Sequence, residues 1–279
     1  MCPPGCLHAI RRTATRRGLL KAGLGLAAAT AATAAVPAAF AQSAEPTAAR
    51  SFTSVRDLSH ALYEGFPTFS GEKWFTMEKP VVWAKDKVNL FRWTLMEHTG
   101  THMDSPLHFS ENGDTIDLIP VEDLVVPLAV IDIRARAAED PDAYLTPDDV
   151  TAWEGRNGRL PDGAVVVMNS GWHALLDSPK FTGLDAEKRN HTPGFHPETA
   201  VMLAEERTIR GIGVDTLSLD RGLASGEFPV HYQWLGSGRW GIEALAGLDD
   251  CPESGALLVA GAPKVKGATG GPARIMALI

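Results

Sequence analysis

Positions 98 to 109 read His-Thr-Gly-Thr-His-Met-Asp-Ser-Pro-Leu-His-Phe, which places three imidazoles and a carboxylate within eleven residues. No helix can carry this run, because Gly100 and Pro106 interrupt it. The fold must therefore present the groups from a loop or a strand end. Residues 88–98 lead in with β-branched and aromatic side chains and predict a strand entering the motif. Along an extended chain, side chains alternate between faces, so His98, His102, Asp104 and His108, all of one parity, are expected to point the same way. Imidazole nitrogen and carboxylate oxygen suit zinc, manganese or iron(II). Three protein ligands with an open position mark a catalytic rather than a structural site. Isolated histidines are ordinary surface or core residues, but four such groups in an HxxxHxDxxxH array indicate a metal site. The pattern is not the helical HExxH, so that protease mechanism does not transfer.

Residues 1–41 carry Arg11, Arg12, Arg16, Arg17 and Lys21, no acid, and then an alanine-rich apolar run closing on Ala39-Phe-Ala41. This predicts a signal peptide with an A-x-A cleavage site, and Arg16-Arg17 with Lys21 matches the twin-arginine export pattern. The run is short, alanine-dominated and broken by Pro37, which argues against a retained membrane anchor. The expected organisation is a signal at 1–41, a flexible mature N-terminus at 42–50 and one domain over 51–279, in the periplasm. Without the signal's five basic residues the balance moves from 26 basic against 34 acidic to 21 against 34, a formal charge of −13. Such an acidic chain is a poor partner for nucleic acid or an anionic membrane. Cys2 and Cys6 leave with the signal, so Cys251 has no internal partner and is expected to be a buried, inert thiol.

In the expected domain, 51–60 predicts a first strand, and the aromatic-rich 63–83 supplies candidate pocket walls in Phe66, Phe69, Trp74, Phe75 and Trp83, joined later by Trp172. His60 is a weaker ligand candidate than a structural or capping residue. Two apolar runs, 125–133 and 164–168, predict buried strands. Thr146-Pro147-Asp148-Asp149 predicts a helix start that should run to about Gly155, and His196-Pro197-Glu198 opens another to about Arg207. Ser170 lacks a GxSxG context for a nucleophile. Asp215 and Asp220 close the strand-like 211–220 as possible ligands, with capping preferred for Asp220. Glu243 is placed on a short helix or helix start, and terminal strands at 256–260 and 274–279 flank a glycine-rich joint. Strands alternating with a few helices indicate an α/β or α+β domain with a mixed sheet.

Taken together, these residues resemble the cyclase-like metal-dependent hydrolases that include bacterial kynurenine formamidase and isatin hydrolase. The resemblance rests on the 98–109 run, on Asp57-Leu-Ser-His60, on Gly213-Val-Asp215-Thr-Leu-Ser218, and on His231 followed twelve residues later by Glu243. It implies an α/β fold around a central, barrel-like mixed sheet flanked by helices. It also implies a first metal on His98, His102 and Asp104, with His231 and Glu243 completing or adjoining a second site and Asp104 able to bridge. His108 would be the catalytic base or proton shuttle. One or two divalent ions, Zn2+ or Mn2+, would serve hydrolysis of an amide, lactam or ester of a small molecule, in a homodimer or homotetramer. A metal-dependent lyase or dehydratase and a non-catalytic periplasmic binding protein are the alternative readings. Ala244 departs from the Glu-Asn-Leu ending more usual in the family.

Overall fold

The computed structural model describes residues 51–224 and 226–279, so the expected signal and the 42–50 stretch lie outside the described residues. Strands β1 (Val55–Asp57), β2 (Phe75–Val81), β3 (Leu90–Leu95) and β4 (His102–Asp104) come first, with a single helical turn, α1 (Trp83–Asp86), between β2 and β3. Then follow β5 (Val125–Asp132), α2 (Arg134–Glu139), β6 (Tyr144–Leu145), α3 (Pro147–Asn157), β7 (Val165–Asn169), β8 (Gly194–Phe195), α4 (Pro197–Glu205) and β9 (Gly211–Val214). The chain closes with α5 (Pro229–Gly236), β10 (Trp240–Glu243), β11 (Leu257–Gly261), β12 (Gly270–Pro272) and β13 (Arg274–Leu278).

The apolar runs of β5 and β7 are unbroken because both faces of these strands are buried. Leu128, Val130, Val165 and Val167 enter one core, while the alternate residues Ala129, Ile131, Val166 and Met168 enter another. Both strands belong to a nine-stranded sheet of order β1-β13-β11-β5-β7-β9-β10-β4-β12, parallel from β5 through β10 and antiparallel outside that block. Only Ala273 separates β12, at one edge, from β13, beside the other edge. One residue cannot span an open nine-stranded sheet, so the sheet curls until its ends meet. The inner core draws Met103, Trp240, Ile242, Leu258 and Ile275 from strands all around that curl. The outer core lies under α3, α4 and α5, which contribute Trp153, Leu203 and Trp234. The domain is thus an α/β unit built on a mixed, half-barrel sheet.

Local chemistry explains the predicted elements. Thr146 and Asp149 form a reciprocal capping box at the start of α3, and Gly158, with φ of 83°, lies just past its last residue. The helix therefore ends two residues beyond Gly155. Helix α4 ends at Glu205, close to the expected limit.

Three expectations change. The first strand covers only Val55–Asp57, because β13 offers three register partners before the chain turns at Ser59 to bridge Leu245. Residues 240–243 form a strand and not a helix: Trp240 and Ile242 fill the inner core while the backbone pairs with β9 and β4. The glycine-rich joint contains β12, which pairs with β4. At Gly270 a Cβ would sit 2.5 Å from the Met103 carbonyl oxygen, so only glycine allows this approach. Among the described residues no helix is long and apolar enough to cross a membrane.

Candidate metal centre

The site grows from the alternation on β4 and β10. Because Met103, Trp240 and Ile242 point into the inner core, His102, Asp104, Gly241 and Glu243 face the opposite side. Register pairs His102 with Glu243 and Asp104 with Gly241. A Cβ at Gly241 would lie 2.8 Å from Leu219 Cδ1, so the glycine leaves room for that side chain beside the carboxylate. His102 Nε2 is 3.3 Å from Asp104 Oδ1 and 3.3 Å from Glu243 Oε2.

The one-parity expectation for the whole motif fails, since only 102–104 is extended. Gly100, with φ of 71°, turns the chain before β4, and Pro106 opens a 3-10 turn over Pro106–Phe109. These two turns nevertheless fold the outer histidines back. His98 Nδ1 is 2.6 Å from Asp104 Oδ1, and its ring stacks on His108 with centroids 3.6 Å apart. The Thr269 hydroxyl lies 2.9 Å from His98 Nε2 and donates to Glu97.

His231 comes from α5, and its Nε2 is 3.0 Å from Glu243 Oε1 and 4.0 Å from Asp104 Oδ2. Asp220 sets that placement. Its carboxylate accepts from the backbone N–H groups of Val230 and His231, capping α5, and lies 2.6 Å from His231 Nδ1. Capping was the preferred reading for Asp220; the bond to the ring was not foreseen. Thr269 and Glu97 were also missed, because a hydroxyl 171 residues from His98 leaves no local signal.

The donors fit a cation. His102 Nδ1 donates to the Gly100 carbonyl at 2.9 Å, so the neutral ring turns a bare Nε2 lone pair toward two carboxylates. That nitrogen and Asp104 Oδ2 are both buried without a hydrogen-bond partner. Such an arrangement is repulsive unless a proton or a metal ion lies between the groups. Burial works against charge on His102, yet Asp104 and Glu243 together push it up to about 10. His231 is likewise pushed up to about 10, with burial outweighed by Asp220 and Glu243. Asp104 is held well below the usual carboxylate range because His102 and His98 overcome its burial. A divalent ion meets the same demand with the mixed nitrogen and oxygen donors it prefers. Within 4.8 Å of one another lie donor atoms of His98, Asp104 and His108, and separately those of His102, Asp104 and Glu243. Asp104 is common to both sets, and His108 lies within ligand reach.

Other candidates lie elsewhere. Asp215 accepts from Ser170 N and Oγ, Trp172 N and His173 N, and so secures the chain leaving β7. His60 packs against Phe66 and Phe181. A cavity of about 300 Å³ opens over the centre, walled by Phe69, Trp74, Met96, Phe109, Leu217 and Phe228. Of the expected aromatic walls Phe69 and Trp74 take part, while Phe66 is buried. Phe75 is buried in β2, Trp83 is exposed, and Trp172 lines a separate cavity of about 720 Å³. That larger cavity lacks the convergent donors, and its Arg134 is already paired with Asp132 and Asp249. Cys251 is half-buried, and burial pushes its thiol up to about 11, consistent with an inert role.

The family model for Cyclase matches residues 56–221, more than half of the chain and all of the first metal motif. The chain belongs to the Cyclase family. Isatin hydrolase of Roseibium aggregatum is 35% identical over 200 residues, covering 68% of this chain and 75% of that protein. Kynurenine formamidase of Salinibacter ruber is 30% identical over 190 residues, covering 68% of this chain and 80% of the relative. In three dimensions, isatin hydrolase A from Labrenzia aggregata bound to benzyl benzoate superposes with a TM-score of 0.76 and 34% identity, over 81% of this chain and 93% of that one. The Cyclase fold thus accounts for the half-barrel, on which the site occupies the face shared by β4 and β10. It also gives Ala244 a context. The residue after Glu243 has φ of 51°, a left-handed conformation that asparagine tolerates better than alanine. Here the backbone is pinned instead: its N–H donates to Thr216 O at 2.8 Å and its carbonyl accepts from Thr101 Oγ1 at 2.5 Å.

Proposed function

We propose that this Cyclase family member hydrolyses the C–N bond of a small aromatic amide or lactam, of the isatin or N-formyl arylamine class, with one or two Zn2+ or Mn2+ ions held by His98, His102, Asp104, His231 and Glu243. It is a metal-dependent hydrolase acting on carbon–nitrogen bonds other than peptide bonds. The observation that carries this reading is the buried Asp104 carboxylate, common to two donor sets, with its free oxygen and the His102 Nε2 unpartnered. When bound, a divalent cation supplies Lewis acidity toward the carbonyl and lowers the pKa of water to near 7.

The chain's own groups do the rest. Burial pushes His108 down to about 4, against the pull of Asp104, so its ring is neutral at pH 7 and able to accept a proton. As water oxygen bonds to the carbonyl carbon, His108 takes its proton. As the C–N bond breaks, the same proton passes to the leaving nitrogen, giving an amine and a carboxylic acid, whose remaining proton is lost to solvent to leave the carboxylate. A lactam keeps both groups in one product. Phe69, Trp74, Phe109 and Phe228 offer flat apolar walls suited to a planar ring, while Asp220 and Thr269 hold the histidine rings in place. Turnover of a panel of formamides, lactams and lactones by metal-loaded protein tests the proposal. Hydrolysis of the amides with loss of metal in Asp104→Ala is expected; no turnover, or full metal in that variant, overturns it.

We also infer that the enzyme is exported through the twin-arginine machinery to the periplasm and works as a homodimer or homotetramer. Arg16-Arg17 ahead of the alanine-rich run supports export. Replacing both arginines by lysine should strand the precursor in the cytoplasm, and undiminished periplasmic recovery would remove the assignment.

A further inference from the structure

Each of the three histidines assigned to the metal has one ring nitrogen tied down by the protein, and the nitrogen that is tied decides which one is left for an ion. In His102 and His231 it is Nδ1 that is held, by the Gly100 carbonyl at 2.9 Å and by Asp220 Oδ2 at 2.6 Å. His98 is held the other way round. Its Nε2 lies 2.9 Å from Thr269 Oγ1, while its Nδ1 faces Asp104 Oδ1. A half-turn of the ring would place a carbon opposite each of these oxygens, so the two contacts fix its orientation. The ring also has little freedom to move. His108 stacks on one face, and Gly270 fits so closely against its edge that a Cβ there would lie 2.7 Å from Cε1.

We propose that Glu97 and Thr269 are positioning residues that commit His98 to the Nε2–H tautomer and so make Nδ1 its metal-binding atom, opposite to the Nε2 offered by His102 and His231. This rests on the metal centre put forward above, and adds to it the ligand atom and the two residues that select it. Glu97 Oε2 accepts the Thr269 backbone N–H at 3.1 Å, and it accepts the Thr269 hydroxyl proton as well. A hydroxyl has one proton, so once that proton goes to the carboxylate only lone pairs remain on Oγ1. The contact with His98 is then a hydrogen bond only if Nε2 carries the hydrogen. Nδ1 keeps its lone pair, directed at a buried carboxylate oxygen 2.6 Å away, and that arrangement calls for a proton or a cation.

Thr269 is itself fastened to the motif it serves. Its carbonyl accepts from the backbone N–H and from the hydroxyl of Ser105, each at 2.9 Å. One residue from the joint before β12 thereby ties Glu97 and His98, ahead of β4, to Ser105 just behind Asp104. The orientation of the His98 ring is set from a part of the chain 171 residues away.

Two measurements on the purified protein loaded with Zn2+ test this. Nitrogen NMR of labelled histidine rings should show His98 with hydrogen on Nε2 and metal on Nδ1, and His102 and His231 with the reverse pattern. Zn2+ affinity, read by competition with a chelator, should fall about 10- to 100-fold in Thr269→Val, the usual loss when the partner of a ligating histidine is removed. Thr269→Ser keeps the hydroxyl and should recover nearly all of it. Glu97→Gln has an amide that can donate to Oγ1 and turn the hydroxyl proton toward His98, so it should also weaken binding, and it carries the test if Thr269→Val does not fold. Hydrogen on Nδ1 of His98 in the loaded wild type overturns the proposal, as does wild-type affinity in both Thr269→Val and Glu97→Gln. A loss in Thr269→Val that Thr269→Ser fails to recover reduces Thr269 to packing and overturns its positioning role. A wild type that takes up no Zn2+ overturns the metal centre and this inference together. Uptake with the expected ring pattern but no amide turnover overturns the hydrolase reading alone and leaves the roles of Glu97 and Thr269 standing.

Discussion

His108 is the member of the cluster whose surroundings suit chemistry more than structure. Its ring stacks on His98 and meets Phe109 edge-on, with centroids 4.7 Å apart, and burial keeps it neutral at pH 7. Replacing it by asparagine should leave metal content and the thermal midpoint near wild type while kcat falls by about 10² to 10⁴, the usual cost of losing a positioned acid or base. Metal analysis and kcat on one preparation decide the matter, and loss of metal together with activity would make His108 a ligand. The cluster was legible because three imidazoles and a carboxylate in eleven residues are a compositional signal that survives any fold. Their convergence was not, since His98 and His108 reach Asp104 through turns at Gly100 and Pro106 and not by strand parity. Asp220 was half legible: an aspartate ten residues ahead of α5's first free N–H groups caps that helix, and only the fold brings its oxygen to His231 Nδ1.

At the scale of elements, what could be read was set by local periodicity and capping. β5, β7, α3 and α4 announce themselves through apolar runs and N-terminal proline, whereas β10 and β12 do not. Gly270-Gly271-Pro272 has no strand propensity, and it becomes a strand because β4 needs a second antiparallel neighbour at the sheet edge. Glu243 was misplaced on a helix for a related reason, as four residues are too few to show their period. The close approach of β12 makes a sharp prediction. In Gly270→Ala the new Cβ would lie 2.5 Å from Met103 O and 2.7 Å from His98 Cε1, so backbone or ring must move. Stability should drop by about 1–3 kcal/mol, as for other overpacked sites, with a parallel loss of metal affinity. Urea denaturation and metal titration check this. The same substitution at Gly267, where nothing lies within 4 Å, meets no neighbour, but its φ of 81° adds backbone strain. Only the Gly270 variant should therefore combine instability with weakened metal binding.

At the scale of the molecule, the centre lies where the curl of the sheet is tightest in connectivity. β4 carries two of the donors, β10 carries a third, and β12 continues through Ala273 into β13 beside the far edge. The buried Asp104 and Glu243 carboxylates therefore sit in the frame of the domain, and a cation between them should hold that frame as well as serve the reaction. Native-state binding at a concentration 100 times Kd adds about 2.7 kcal/mol. For a domain of this length that corresponds to a thermal midpoint roughly 5–10 °C higher. Chelation by EDTA should remove this increment from the wild type, and re-addition of Zn2+ or Mn2+ should restore it. Asp104→Ala distinguishes this centre from metal bound elsewhere. Without the carboxylate common to both donor sets the variant should begin at a lower midpoint and respond to neither EDTA nor added metal. Scanning calorimetry on both proteins, with and without chelator, gives the answer: an EDTA shift of equal size in Asp104→Ala would place the stabilising metal outside this cluster.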